Sequence, residues 1–180
     1  MYLETVSIKN FRIFENLKLT INPGLNLLVG ENDSGKTALI DAIRCVLGTN
    51  SSERNFLDES DFYDDTKEIS IQLKFVDVER LAYVFVEHLT YEKDSSNEDK
   101  IRPVLYIQFT AKNTGQERRG YPFIVTGLKS GKEGNGLVIE AEIRAFLSST
   151  YLKPLRDAEA EMSAGRGSRL SQILNSSKEL

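Results

Sequence analysis

The chain has 180 residues, with 23 Lys plus Arg against 27 Asp plus Glu and a formal net charge of -4. A hydrophobic content of 40% and a mean hydropathy of -0.33 exclude a low-complexity disordered chain. No apolar run approaches the roughly 18 residues a spanning helix needs, and a pI of about 5.2 excludes a uniformly basic nucleic-acid module while leaving room for a local basic patch. The lone cysteine, Cys45, precludes an internal disulfide, and the lone histidine, His88, argues against a Cys/His zinc cluster. Met1 leads directly into strand-like alternation, so the expectation is a cytoplasmic chain with no signal peptide and no membrane partner.

Leu3, Val6 and Ile8 open a first strand. Phe11 to Phe14 reads as a turn with aromatic anchors, and Leu17, Leu19 and Ile21 fill one face of a second strand. Asn22-Pro23-Gly24 is a turn, because Pro fixes its own φ and Gly accepts a positive one. Leu25 to Val29 is nearly continuous apolar sequence, which predicts a central strand buried on both faces. Thr37 to Leu47 predicts a helix whose apolar face is Ala38, Leu39, Ala42, Ile43, Val46 and Leu47, stopped at Gly48.

Residues 49–68 are rich in acids and are expected to cross the surface, anchored by Phe56, Leu57, Phe62 and Tyr63. Strands are predicted over 69–75, 82–89, 104–109 and 123–125, with polar loop tips at 93–100 and 112–120. Ile69, Ile71, Leu73 and Phe75 alternate with Ser70, Gln72 and Lys74, the pattern of a half-buried antiparallel strand. Residues 129–136 read as a loop and 140–147 as a short helix. Tyr151 to Pro154 is extended, and helices follow from Leu155 and Arg169. The fold class is α/β: a P-loop unit over 1–48, an antiparallel β region over 69–126 beside it, and a helical segment over 140–174, all in one domain.

Gly30-Glu31-Asn32-Asp33-Ser34-Gly35-Lys36-Thr37 fits G-x-x-x-x-G-K-[ST]. Its glycines let backbone N–H groups curl inward at phosphate oxygens, and the helix that follows adds its positive end. Lys36 then reaches the β- and γ-phosphates, and Thr37 offers a hydroxyl to Mg²⁺. The competing reading is a glycine-rich turn closing a strand. It leaves a lysine at a helix N-terminus with no anion, a poor electrostatic position. For hydrolysis an acid must also hold Mg²⁺. The nearest sequences, Phe75-Val76-Asp77 and Val138-Ile139-Glu140, make poor matches, so no catalytic residue is assigned.

Ile8-Lys9-Asn10-Phe11-Arg12-Ile13-Phe14, followed by Gly24 to Thr37, resembles the start of ABC-type ATPase heads of the RecF, Rad50 and SMC group. Tyr151-Leu152-Lys153-Pro154-Leu155-Arg156-Asp157-Ala158-Glu159, then Gly165 to Leu170, resembles the OLD (overcoming lysogenization defect) nucleases within that group. The resemblance implies ATP and Mg²⁺ as ligands, an antiparallel sheet beside the P-loop core, and dimerisation of two heads around ATP. It also implies DNA as a partner of the complete protein, with ATP regulating DNA cleavage, in phage defence or otherwise. Arg12 matches an arginine close to the nucleotide in such heads; read on its own, it is equally a surface residue stacked on Phe11 or Phe14. The signature motif, the Walker B strand and the Toprim acids of the family are not found here. An N-terminal fragment, inactive alone and prone to self-association, is therefore expected. A RecF- or Rad50-like repair head and a nucleotide-binding module without catalysis are the alternatives. An antiparallel meander directly after the P-loop helix disfavours a small-molecule kinase.

Other residues invite weaker readings. Cys45 is expected to be a buried structural thiol and His88 non-catalytic. The acids from Asp58 to Asp65 read as a solvated loop rather than a metal site. Gln72 is a candidate Q-loop glutamine, although its place inside a strand argues against it. Arg166 and Arg169 are candidate contacts to DNA or a partner head, against a helix surface laced with ion pairs.

Overall fold

The computed structural model describes residues 1–48, 57–94, 97–147 and 149. Two strands, β1 (Tyr2–Phe11) and β2 (Phe14–Thr20), form a tight hairpin at the start of the chain. The helix α1 (Lys36–Leu47) follows the glycine loop. Then come β3 (Glu68–Val76), β4 (Leu89–Asp94), the long β5 (Asn97–Arg118), β6 (Tyr121–Ser130) and the short helix α2 (Ala141–Phe146).

All six strands join one antiparallel sheet in the order β2-β1-β3-β5-β4, with β6 also pairing β5. The length of β5 makes this possible. Its first part pairs β4 through Leu105, and its later part pairs β6 from Ile107 onward. Register sets the core. Ile8 faces Ile71, which faces Phe109, and Val6 faces Leu73, which faces Ile107. All of these are buried, and α1 packs on the same face through Leu39, Ala42 and Val46. The opposite face carries a polar row beside a small apolar cluster of Val76, Val104 and Tyr106: Ser7, Gln72 and Gln108 stand in that row, and the Gln72 amide donates to Gln108 Oε1 at 2.8 Å. Gln72 is thus committed to the sheet, and a Q-loop role finds no support in its position.

Three expectations need correction. Leu25 to Val29 forms no strand, and Leu25, Leu27 and Val29 are 98%, 83% and 83% exposed. The apolar run is real, but none of the described strands pairs with it. Residues 82–89 are largely turns, entered by a 3₁₀ turn at Glu79–Leu81; β4 begins only at Leu89. The polar run 112–120 is mostly strand, because β5 continues to Arg118 and turns at Arg119-Gly120 into β6. Polar residues extend that pairing because this end of the ribbon is exposed on both faces. The helix expected at 140–147 is α2, and the segment 151–174 lies outside the described residues.

Two further contacts fix α1. Arg144 of α2 donates through Nη2 to the Cys45 carbonyl at 2.7 Å and through Nε to the Val46 carbonyl at 3.0 Å. A cation thereby meets the negative end of the helix. Burial holds the Arg144 guanidinium below its ordinary value. Cys45 is buried in the core, as expected.

Candidate nucleotide-binding site

The loop Gly30–Gly35 leads directly into α1, whose N-cap is Gly35 at φ 89°. Only glycine tolerates that conformation cheaply. Space dictates the same choice. A Cβ on Gly35 would lie 2.5 Å from Ile13 Cδ1 and 2.7 Å from Phe14 Cζ, so the β1–β2 hairpin tip rests against the loop. A Cβ on Gly30 would meet Ser34 Oγ at 2.6 Å. The loop is closed upon itself.

Lys36 occupies the inside of that loop. Its Nζ donates to the Gly30 carbonyl at 2.8 Å, to the Glu31 carbonyl, and to Ser34 Oγ at 3.1 Å. Glu31, Asn32, Asp33 and Ser34 are exposed at the mouth, and so is Thr37. Asp33 sits at φ 63° and helps the chain turn. The first turn of α1 carries no acid that would repel an anion. This arrangement brings an ammonium and a helix N-terminus to one point, the two features that favour a phosphate there. The exposed Thr37 hydroxyl is a hard oxygen donor of the kind Mg²⁺ takes.

Arg12 lies at the hairpin tip with φ 50°. Its Nε donates to Asp61 Oδ1 at 2.8 Å and its Nη1 to Asp41 Oδ2 at 2.6 Å. The guanidinium also sits 5.1 Å from the Phe11 ring centroid, the stacking named in one of the two sequence readings. Burial works against its charge, but the hydrogen bonds and charges of Asp61 and Asp41 outweigh this and hold it above its ordinary value. Asp41 is shared, since its Oδ1 accepts from Arg44 Nη1 at 2.7 Å.

Sequence reasoning missed both carboxylates. Asp61 belongs to the acidic stretch read as solvated, yet it is buried. It accepts from the Asp58 N–H at 3.0 Å in a capping box and pairs with Arg12. The available signal was Phe62, a buried aromatic next door, bridged to Phe11. The weak Walker B candidates lie on other elements: Asp77 is exposed just after β3, and Glu140 is the exposed N-cap of α2. His88 Nδ1 lies 3.0 Å from Ser130 Oγ, tying the start of β4 to the end of β6. Among the described residues, no group of three or more His, Cys, Asp or Glu is arranged to hold a metal.

A G-x-x-x-x-G-K-T loop capping a helix that packs on an antiparallel sheet gives the chain a P-loop α/β fold like the N-terminal portion of ABC-type ATPase heads. The chain belongs to the AAA ATPase domain family, whose model matches residues 1–155.

Among curated proteins it is similar to the DNA replication and repair protein RecF of Cytophaga hutchinsonii, 29% identical over 140 residues, covering 67% of this chain and 36% of the relative. RecF of Oenococcus oeni is 33% identical over 117 residues, covering 59% of this chain and 31% of the relative. The chain thus spans about a third of the length of these relatives. Among solved structures, one described as "Structural biochemistry of ATP-driven dimerization and DNA stimulated activation of SMC ATPases" superposes with a TM-score of 0.56 at 16% identity, covering 97% of this chain and 96% of that one. A RecF–ATP structure of the RecFOR pathway gives 0.50 at 20% identity, covering 97% and 38%. These likenesses show the fold. The broad RecF/SMC reading of the sequence is therefore met, while the OLD branch within it is not distinguished.

Proposed function

We propose that this chain is the ATP-binding portion of a RecF- and SMC-like ATPase head that works on DNA through ATP-driven head dimerisation. The observation that carries the reading is the placement of the Lys36 ammonium inside the loop, on the carbonyls of Gly30 and Glu31. A β- or γ-phosphate replaces those carbonyls as its partner. The N–H groups from Glu31 to Thr37 then wrap the phosphates, with Gly30 and Gly35 allowing the approach. Thr37 would hold Mg²⁺, which would supply neutralisation of the phosphate charge. Arg12, at the hairpin tip against the loop, joins the nucleotide from the side.

The boundaries of this role follow the same parts: a P-loop unit over 1–48, a β region over 69–126 and a helical segment over 140–174. Hydrolysis needs a Mg²⁺-holding acid and a signature loop that this sequence does not contain, so turnover belongs to a complete, dimeric head. RecF relatives named for DNA replication and repair support the DNA-directed role. A second reading keeps the site and changes the output: ATP binding regulates an OLD-type nuclease, as the run Tyr151 to Leu170 suggests. In either case the protein works in the cytoplasm as a dimer or higher homo-oligomer.

Competition between a fluorescent ATP analogue and unlabelled MgATP tests the site. Displacement weakened by Thr37→Ala only when Mg²⁺ is present supports it. No analogue binding by a chain that circular dichroism shows to be folded contradicts it. Incubating the natural protein with supercoiled DNA and ATP separates the outputs: stimulated turnover on intact DNA favours the repair head, and ATP-controlled cleavage favours the nuclease.

A further inference from the structure

Past Lys112, β5 pairs only with β6 among the described strands, and the two run on as a ribbon to the turn Arg119-Gly120. Both turn residues have positive φ, 58° and 77°, the conformation that closes a tight hairpin and fixes its register. Arg118 therefore stands directly across from Tyr121. Strand alternation puts Tyr121, Phe123 and Val125 on one face of the ribbon. Ile124 and Leu128 pack on the core from the other face, so the aromatic face is the one turned away from α1. Tyr121 is 75% exposed. The Arg118 guanidinium lies 6.0 Å from the Phe123 ring centroid, so a tyrosine ring and a ring-backed guanidinium stand side by side at the end of the sheet. Arg119 is exposed at the apex. Among the described residues, neither Arg118 nor Arg119 has an ion-pair partner. The neighbouring acid, Glu117, sits opposite Pro122 and alternates onto the other face. The ribbon is braced from within: the Thr114 hydroxyl donates to the Phe123 carbonyl at 2.8 Å, and the Gly115 N–H donates to Asn113 Oδ1 at 2.9 Å.

We propose that this face of the ribbon binds single-stranded nucleic acid, with a base stacked on Tyr121 and the backbone held by Arg118 and Arg119. The site lies apart from the phosphate loop and does not rest on the nucleotide reading. A lone exposed tyrosine is ordinary. Here it is flanked by two arginines without acids to neutralise them, in a chain of net charge -4. Ring and cation together suit a single strand, in which every base offers a π-face and every linkage a phosphate. Guanidinium groups serve both, stacking on bases and forking onto phosphate. The sequence order agrees. Arg119-Gly120-Tyr121-x-Phe123 repeats the basic-Gly-aromatic-x-aromatic order by which sheet-borne RNA readers set alternate rings on one face, with Pro122 and Thr126 departing from the rest of that pattern. A duplex keeps its bases stacked on one another, so only an unpaired strand can use the ring. An acidic peptide would meet the arginines and leave the ring unused.

Fluorescence anisotropy of the full chain with a labelled oligothymidylate, without ATP, tests this. The platform predicts saturable binding that Tyr121→Ala weakens by about tenfold, the middle of the range for one stacked base. Tyr121→Phe keeps the ring and should restore that binding. Arg119→Gln should lower the slope of log affinity against log salt by about 0.7, one phosphate contact on a single strand. Thermal melts of these variants should match the wild type, because the altered side chains are exposed. Oligouridylate tells RNA from DNA, and binding of either strand with this dependence on Tyr121 supports the platform. Undiminished binding by Tyr121→Ala, tighter binding of a duplex of the same length, or no binding by the folded chain overturns it. Displacement by polyglutamate as readily as by unlabelled oligonucleotide shows attraction of any polyanion and overturns it as well. Loss of binding in Lys36→Ala but not in Tyr121→Ala would assign the strand to the phosphate loop, with the same consequence.

Discussion

Ile13 and Gly35 touch across 22 positions of sequence so closely that a methyl group on Gly35 would meet Ile13 Cδ1 at 2.5 Å. The hairpin tip and the phosphate loop are one packed unit. Gly35→Ala is doubly penalised, by that clash and by φ 89°, the latter costing about 1–2 kcal/mol. The expected result is a lower melting temperature together with loss of ATP binding. Adding Ile13→Ala relieves only the clash, so the double variant recovers part of the stability. Full recovery in the thermal melt would contradict the conformational half of the account.

Asp41 holds two arginines, Arg12 at 2.6 Å and Arg44 at 2.7 Å. Asp41→Ala removes both charge-assisted bonds from a partly buried site. Urea unfolding is expected to show a loss of about 1–3 kcal/mol. A loss below about 0.5 kcal/mol, the range of ordinary surface changes, would show that the pairs contribute no net stability.

Acid should destabilise the fold through carboxylates held below their ordinary values. Lys74 bridges Glu4 at 2.7 Å and Glu92 at 3.1 Å on the polar face. Burial raises the Glu92 carboxyl, but hydrogen bonds from Tyr106 and Lys74 outweigh it and bring it below its ordinary 4.5. Hydrogen bonds from the Ser60 side chain and backbone likewise hold Asp58 below 3.8. Depressed carboxylates contribute stability that is present above the unfolded value and lost as pH falls through the folded one. Melting temperatures should therefore decline from about pH 4.5 downward, and Glu92→Gln should flatten part of the decline. At the other extreme, burial and the bond to Glu92 push the Tyr106 phenol up to about 12. A raised folded value means stability lost as pH climbs from 10 toward 12. Phenolate absorbance of Tyr106→Phe against wild type checks that order.

The apolar run Leu25 to Val29 should govern solution behaviour. Its exposed side chains form an apolar surface open to association. Leu25→Ser with Leu27→Ser is expected to lower aggregation by light scattering while leaving the melting temperature nearly unchanged, since these side chains bury little. A large drop in melting temperature would show instead that they are packed.

The parts legible in sequence are those whose cause is local. Period-two alternation gave β3 its faces, and Ile71 and Leu73 are buried as the pattern requires. Gly-bracketed spacing located the loop, and Gly48 ends α1. The parts that were missed depend on distant partners. Leu25 to Val29 has strand composition, yet a strand exists only with a neighbour to bond. Asp61 looks like one acid among many, and its ion-pair partner Arg12 lies 49 positions away. Arg144 capping α1 across 98 positions carries no local signal. In the site, the residues of the loop are readable from spacing alone, whereas the carboxylates that restrain Arg12 are not.

The central claim is that the Lys36 ammonium, now on the Gly30 and Glu31 carbonyls, is a phosphate ligand. Isothermal titration of the chain and of Lys36→Ala with MgATP, each checked by circular dichroism, tests it most directly. The account predicts saturable binding near one nucleotide per chain in the wild type and none in the variant. Equal binding by the two folded proteins, or no binding by a folded wild type, would contradict it.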